Sequence, residues 1–388
     1  MSEKVSEERQ TPKARYRVGT LEKAFSILHL IERSRSPLKI HEIAEATGIE
    51  RGTVFRVLCT LERHQYVERL PDKKYRATSP RRLTRLGYAG PLSGTPFRRD
   101  VTAGIQRAAS ELGLELLMLD NTEDDPEANL ENARTLINAK VDLAMEFQPI
   151  DSIAHVVGGL FASAAIPLIA VETQIPGAVF FGGNNYGAGG MAGEALAKFS
   201  LEEWNGEFDY LLLIESPSRG PACQARLVGA LDGVQRILGA FPKSRVIHLD
   251  GHANKDASTV AVARALRSLP SNARLLISAF NDPTAVGALQ ALREAGRGKY
   301  AAIVGQNATA ESREEISRGD GPLIASVAYF PEHYGNRLMR LALAILNHES
   351  PPPAVYTEHV VLDCHNIHVY YPQYAALDRK LPAGNVAS

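Results

Sequence analysis

From position 20 to about 33, Leu21, Ala24, Phe25, Leu28 and Ile31 recur at three- and four-residue spacing, which predicts an amphipathic helix. Pro37 breaks the pattern. A short second helix is predicted over 39–46, with Ile40, Ile43 and Ala44 as its apolar positions. Thr47-Gly48-Ile49 reads as a three-residue turn, Gly48 being suited to a left-handed helix end. A third helix is predicted over 50–64. Its apolar face is Val54, Val57, Leu58 and Leu61, and its polar face Arg51, Thr53, Arg56 and Arg63. Two short strands, Tyr66-Val67-Glu68-Arg69-Leu70 and Tyr75-Arg76-Ala77, flank the tip Pro71-Asp72-Lys73-Lys74 and predict a β-hairpin. Helix, helix, turn, helix and basic-tipped hairpin make a winged helix-turn-helix. A helix fits the major groove of DNA, side chains near its N-terminus reach base edges, and a cationic hairpin tip approaches phosphates or the minor groove. Winged helices also join proteins to proteins; the arginines on the outer face favour DNA.

Beyond residue 85 short apolar runs alternate with helical stretches. Runs over 86–92, 114–119, 141–147, 167–171, 179–183, 210–214, 246–249, 274–280, 301–305 and 323–328 read as strands. Repeated βα units with apolar strands predict parallel sheets covered on both faces, and so many strands predict two doubly wound lobes. The fold class is therefore α/β, a winged helix-turn-helix followed by a two-lobed domain. Polar residues follow the strands: Gln148, Glu172, Asn184-Asn185, Glu215-Ser216, Asn281-Asp282, Gln306-Asn307 and Tyr329. Open α/β sheets bind ligands at the carboxyl ends of their strands. Amides and carboxylates gathered there, with Phe97, Tyr186 and Tyr329 nearby, suit a polyol, whose hydroxyls take paired hydrogen bonds and whose C–H face takes a ring. Turn formation and helix capping explain any one of these residues, and the whole set less well.

Of 388 residues, 45% are hydrophobic and 22% charged, which excludes wholesale disorder. The net charge of −1 hides an asymmetry: residues 1–90 carry +8 and the remainder −9. A basic head on an acidic body suggests a polyanion-binding module joined to something else. No run approaches the roughly 20 apolar residues of a membrane span, and the N-terminus lacks the apolar stretch of a secretory signal. Cys59, Cys223 and Cys364 are too few and too scattered for a disulfide framework. A reduced, cytoplasmic setting is expected.

The segment from about 16 to 76 resembles the N-terminal domain of the IclR family of bacterial regulators. The resemblance rests on Leu21-Glu22-Lys23-Ala24-Phe25-Ser26-Ile27-Leu28, Ile43-Ala44-Glu45-Ala46-Thr47-Gly48-Ile49, Thr53-Val54-Phe55-Arg56-Val57-Leu58-Cys59-Thr60-Leu61 and Tyr66-Val67-Glu68. It implies that Arg51, Thr53 and Arg56 face DNA, with Lys73 and Lys74 on the wing. Residues 86–371 resemble the type I periplasmic-binding-protein fold of ribose-type sugar-binding proteins and lac-repressor-type effector domains. The matches run in order: Thr95-Pro96-Phe97, Glu111-Leu112-Gly113, Asp124-Asp125-Pro126, Gln148-Pro149-Ile150-Asp151-Ser152, Ile166-Pro167-Leu168-Ile169, the stretch 185–193, Arg226-Leu227-Val228-Gly229, Asn281-Asp282 and Gly305-Gln306-Asn307. This resemblance implies a ligand pocket of Thr95, Phe97, Arg98, Gln148, Glu172, Arg226, Asn281, Asn307 and Tyr329, with Arg226 as the clamping guanidinium. The chain departs from the ribose-type pattern at Thr173, Asn307 and Tyr329, and Lys255 lies near an expected aromatic. Arg226, Arg98 and Lys255 together also tolerate an anionic sugar acid.

Other motifs are set aside. Gly187-Ala188-Gly189-Gly190-Met191-Ala192 fits a dinucleotide signature, but no acidic residue ends the next strand at the required distance, and close helix–sheet packing explains the small residues better. Cys364, His365 and His368 lack a second ligand pair at zinc-site spacing, and in a strand Cys364 and His365 would face opposite ways. Cys59 is expected as a small core residue. No cofactor, metal or catalytic constellation is expected.

The resulting expectation is a bacterial one-component transcription regulator. The winged helix (16–80) binds operator DNA, and the two-lobed domain (86–375) binds a monosaccharide, sugar alcohol or sugar acid between its lobes. Lobe 1 is expected over about 86–200 and 330–355, lobe 2 over about 201–329 and 356–375, with tails at 1–15 and 376–388. A homodimer or higher homo-oligomer is expected, because most operators are two-fold symmetric. The segment 79–86 lacks the hinge-helix signature of lac-type repressors, so domain reorientation is expected to carry the signal. The competing readings are a carbohydrate-binding or transport-type solute-binding protein without promoter control, and a cytoplasmic enzyme.

Overall fold

Two units divide the chain between residues 84 and 85. The computed structural model describes residues 18–34, 36–78 and 84–374; the expected tails at 1–15 and 376–388, and 79–83 of the connecting segment, lie outside the described residues.

The N-terminal unit contains α1 (Gly19–Arg33), α2 (Ile40–Thr47), α3 (Arg51–Arg63), β1 (Val67–Arg69) and β2 (Tyr75–Ala77). Gly48 ends α2 at φ 67°, so the chain turns into α3 through a left-handed residue. β1 and β2 pair antiparallel, Glu68 opposite Arg76, and Leu38 bridges to Tyr75. The core is Ile27, Leu28, Ile31, Ile43, Val54, Leu58, Val67 and Tyr75. Two expectations are corrected here. Leu21 and Phe25 are exposed, because Ile27, not Phe25, lies on the inner face of α1 with Leu28 and Ile31. Cys59 is exposed, being roughly 100° round the helix from Leu58 and away from the core.

The second unit is two parallel sheets with helices on both faces. Lobe 1 runs β3 (Arg85–Gly90), α4 (Pro96–Glu111), β4 (Glu115–Asp120), α5 (Pro126–Asn138), β5 (Leu143–Glu146), α6 (Ala154–Ser163), β6 (Leu168–Val171) and β7 (Val179–Gly182). Lobe 2 runs α7 (Asn185–Trp204), β8 (Tyr210–Glu215), α8 (Pro221–Leu238), β9 (Val246–Asp250), α9 (Lys255–Ser268), β10 (Leu275–Ala279), α10 (Asp282–Glu294), β11 (Ala301–Asn307), α11 (Ala310–Arg318) and β12 (Leu323–Ala328). The chain then returns to lobe 1 for α12 (Tyr334–Leu346) and β13 (Ala354–Tyr356), and to lobe 2 for β14 (Val360–Asp363) and α13 (Ile367–Tyr370). The sheet orders are β13-β7-β6-β5-β3-β4 and β14-β12-β11-β10-β8-β9, parallel throughout except for β14. The central strands β5, β6 and β10 are buried at every position, as strands covered on both faces must be.

All ten apolar runs correspond to strands, whereas β13 and β14 follow Pro351-Pro352-Pro353 and are too short to register as runs. The lobe boundary expected near residue 200 moves to the end of β7, because α7 packs on α8 and on β10, β11 and β12. Gly189 and Gly193 of α7 serve that helix pair rather than a helix–sheet contact. A Cβ on Gly189 would stand 1.9 Å from the Arg226 carbonyl oxygen, and one on Gly193 2.0 Å from that of Ala230. Cys364 and His365 follow β14 in a turn, so strand alternation does not apply to them. Three crossings join the lobes, after β7, after β12 and between β13 and β14. His359 ties all three: the Asn184 amide donates to its Nε2 at 3.0 Å, and its Nδ1 lies 3.3 Å from the Ala328 carbonyl. Burial pulls its pKa down to about 4, so the ring is neutral at pH 7.

Candidate functional site

Strand ends from both lobes converge on a cleft of about 120 Å³. Thr95, Phe97, Arg98, Glu172, Arg226, Asn281 and Asn307 all line it, so seven of the ten expected pocket residues stand together. The lining also includes Thr173, noted in the sequence as a departure from the ribose-type pattern, and Phe147, Phe280, Arg219, Cys223 and Thr309, which sequence reasoning missed. Phe147 and Phe280 close apolar runs at the same strand-end positions as the polar residues; a search for polar side chains alone passes over them. Arg219 lies in the loop after Glu215-Ser216, and a cation in that loop was the available signal.

Arg226 projects from α8 and is nearly fully buried. Its Nε donates to Asn185 Oδ1 at 2.7 Å and one Nη to the Phe280 carbonyl at 3.1 Å. The guanidinium lies 4.8 Å from the Tyr329 ring centre and 5.2 Å from that of Phe280. The second Nη makes no hydrogen bond among the described residues. Buried, oriented and stacked, the group is a preorganised donor for paired oxygens. Asn281 caps α10: its Oδ1 accepts from the Thr284 amide at 3.0 Å and its Nδ2 donates to the Ala253 carbonyl at 3.1 Å. The capping explanation therefore holds for Asn281, yet a second N–H and a second lone pair remain for a ligand. Asn307 ends β11 at φ 97°, a left-handed backbone that turns its side chain into the lining.

Glu172 follows β6 at φ 63°. Its Oε1 accepts from the Tyr334 hydroxyl at 2.6 Å and from the Gly183 amide at 3.1 Å. Burial raises its pKa, outweighing those bonds and the nearby charge of Arg226. Phe97 packs edge-on against Tyr329 and Tyr334, with ring centres 6.2 and 5.7 Å away. Phe97, Phe147 and Phe280 give the cleft three aromatic rings.

The other three expected residues lie elsewhere. Gln148 is fully buried and builds the loop after β5, its Oε1 accepting from Asn129 at 2.9 Å and from the Ile150 amide at 3.0 Å. Lys255 opens α9 and pairs with Glu311 of α11 at 2.8 Å, away from the cleft. Tyr329 lies behind Arg226, its hydroxyl donating to Gln306 at 3.1 Å, so it supports the guanidinium rather than lining the cleft. Tyr186 is exposed and donates to Asp232 at 2.7 Å. Glu215 pairs with His248 on β9 at the sheet edge.

On the N-terminal unit, Arg51 and Arg56 are exposed on α3, and Arg56 lies 3.5 Å from the Thr53 hydroxyl. Lys73 forms the wing tip at φ 62° and is exposed, whereas Lys74 pairs with Asp72 at 2.8 Å. Among the described residues no helix is long and apolar enough to cross a membrane.

Two family models match the chain: an IclR helix-turn-helix domain over residues 20–71 and a periplasmic binding protein domain over 86–350. Among curated proteins none matches. Solved structures share the larger fold. A Mycobacterium smegmatis protein in complex with β-D-fucofuranose is 22% identical, covers 76% of this chain and 97% of its own, and superposes with a TM-score of 0.63. An Actinobacillus succinogenes transporter solute-binding protein with bound D-allose is 17% identical over 74% of this chain and 99% of its own, TM-score 0.63. A Bacillus halodurans solute-binding protein with bound myo-inositol is 18% identical over 75% and 98%, TM-score 0.64.

Proposed function

The chain belongs to the periplasmic binding protein domain family, and from that premise we propose that it is a sugar-sensing, one-component transcription regulator. One observation carries the reading. An IclR-type helix-turn-helix presents Arg51 and Arg56 on the same chain as a cleft built of one buried guanidinium, two asparagines and three aromatic rings. Arg51, Thr53 and Arg56 read operator DNA, and Lys73 and Lys74 contact its backbone. Between the lobes, Arg226, Asn281 and Asn307 take the hydroxyls of a monosaccharide or polyol, and a Phe ring takes its C–H face. The neighbours with bound fucofuranose, allose and inositol support that ligand class. Ligand shifts operator affinity only by its differential affinity for the DNA-competent and DNA-incompetent states. The working form is a homodimer, matched to a two-fold operator.

The test is selection of binding sequences from a random duplex pool with purified full-length chain, followed by titration of the selected duplex with and without sugars. A recovered palindromic site whose affinity changes at least about fivefold with one sugar is the expected result. Sugar binding with no sequence selection would leave only a carbohydrate-binding protein.

A further inference from the structure

The cleft is rich in guanidinium. Its lining holds three arginines, Arg98, Arg219 and Arg226, against one carboxylate, Glu172. That carboxylate is buried, and burial favours its protonated form.

Two of the three arginines meet at one end. Arg98 enters from α4 of lobe 1, and Arg219 from the loop after β8 of lobe 2. Both point an Nη at the same oxygen, Oε1 of Glu123, Arg219 from 2.6 Å and Arg98 in closer contact still. Burial lowers the pKa of Arg98, and the charge of Arg219 lowers it further, so the two guanidiniums repel and need an anion between them. Glu123 supplies it: hydrogen bonds and charge from both arginines overcome burial and hold its carboxyl below the usual range. Yet Glu123 stays open to solvent. Its side chain is 45% exposed, against 14% for Arg98 and 27% for Arg219, and its other oxygen takes no hydrogen bond among the described residues. The Glu123–Arg219 contact spans the lobes, so the anion that occupies this place also bridges them.

We propose that the ligand of this cleft is a monosaccharide acid whose carboxylate replaces that of Glu123 between Arg98 and Arg219, while Arg226 and Asn281 hold its hydroxyls. The proposal rests on the sugar-sensing reading above and narrows it to one class. A carboxylate suits the place because a carboxylate already fills it, and two guanidiniums from opposite lobes complete the planar donor array that a carboxylate takes. Binding thereby exchanges an internal bridge for a bridge through the ligand.

The test is calorimetric titration of full-length chain with D-galacturonate, D-glucuronate and D-gluconate beside D-galactose, D-glucose, sorbitol and D-glucose 6-phosphate. At least one acid binds about tenfold or more tightly than its neutral parent, with an affinity that falls as salt rises. Arg219→Gln abolishes the acid-over-neutral ratio, and Glu123→Gln, which removes the internal competitor, raises it. Neutral sugars binding as well as or better than every acid would overturn the proposal and leave the sugar-sensing reading standing. Tighter binding of the phosphate ester would overturn the commitment to a carboxylate. A ratio unmoved by Arg219→Gln would overturn the placement. Silence across the whole panel would overturn both readings together.

Discussion

The guanidinium of Arg226 lies 4.8 Å from the centre of the Tyr329 ring, whose hydroxyl turns away to Gln306. The ring orients the cation, and the hydroxyl anchors the ring. Arg226→Lys keeps the charge but loses the fork and the stacking, so ligand affinity falls about a hundredfold. Tyr329→Phe keeps the ring and costs little affinity, whereas Tyr329→Leu removes it and costs about tenfold. Titration of the three variants with a ligand of the parent chain checks the order.

Gly189 lets α7 lie against α8 beneath Arg226. An added methyl group would meet the Arg226 carbonyl oxygen at 1.9 Å and the rest of that residue's backbone within 3 Å. Gly189→Ala forces the helices apart and costs about 3 kcal/mol of stability, together with ligand binding. Gly159 in α6 has open space around the same position. Gly159→Ala raises stability by about 0.5–1 kcal/mol and leaves binding intact. Thermal melts of both variants provide the comparison.

Glu146 is fully buried at the end of β5, where Asn121 donates to its Oε2 at 2.9 Å and its Oε1 has no partner. Burial pushes its pKa up to about 8, from 4.5. A carboxyl whose folded pKa is raised contributes stability below pH 4.5 that is lost as pH rises toward 8. Glu146→Gln removes that loss. Relative to the parent, the variant gains stability steadily between those limits, on the order of a few kcal/mol at the upper one. Denaturant titrations at pH 4.5 and pH 8 measure the difference.

The two wing lysines differ. Lys74 is neutralised by Asp72 at 2.8 Å, and Lys73 makes no ion pair among the described residues. Lys73→Asn, which tolerates the positive φ of 62°, reduces the slope of log affinity against log salt by about 0.9. Lys74→Ala reduces it by less. Arg56→Ala weakens operator binding and relaxes discrimination between bases, at about 1–3 kcal/mol. Fluorescence anisotropy at several salt concentrations separates the three effects.

Much of this arrangement is legible in the chain itself. The helices and wing between residues 18 and 78 follow from periodicity, Pro37 and Gly48, and the ten long strands from their apolar runs. Strand-end chemistry brought Glu172, Asn281 and Asn307 into view, and the family resemblance added Arg226. Three things were not legible. Lys255 and Gln148 sit near strand ends in sequence, but each is engaged elsewhere, by Glu311 and by Asn129, and such partners are fixed only by tertiary packing. The α7–α8 contact assigns α7 to lobe 2, and a run of glycines does not say whether a sheet or a helix lies beneath it. The pairing of Arg98 and Arg219 on Glu123 joins loops almost a hundred residues apart, which no local pattern encodes.

Occupancy of the cleft is expected to change the affinity of the winged helix for DNA. The direct measurement is operator binding by the full-length chain across a titration of its ligand, with Arg226→Ala in parallel. A ligand-dependent change of at least about fivefold is expected in the parent and none in the variant, which still binds the operator without ligand. A ligand that binds the parent while its operator affinity stays constant would contradict the account.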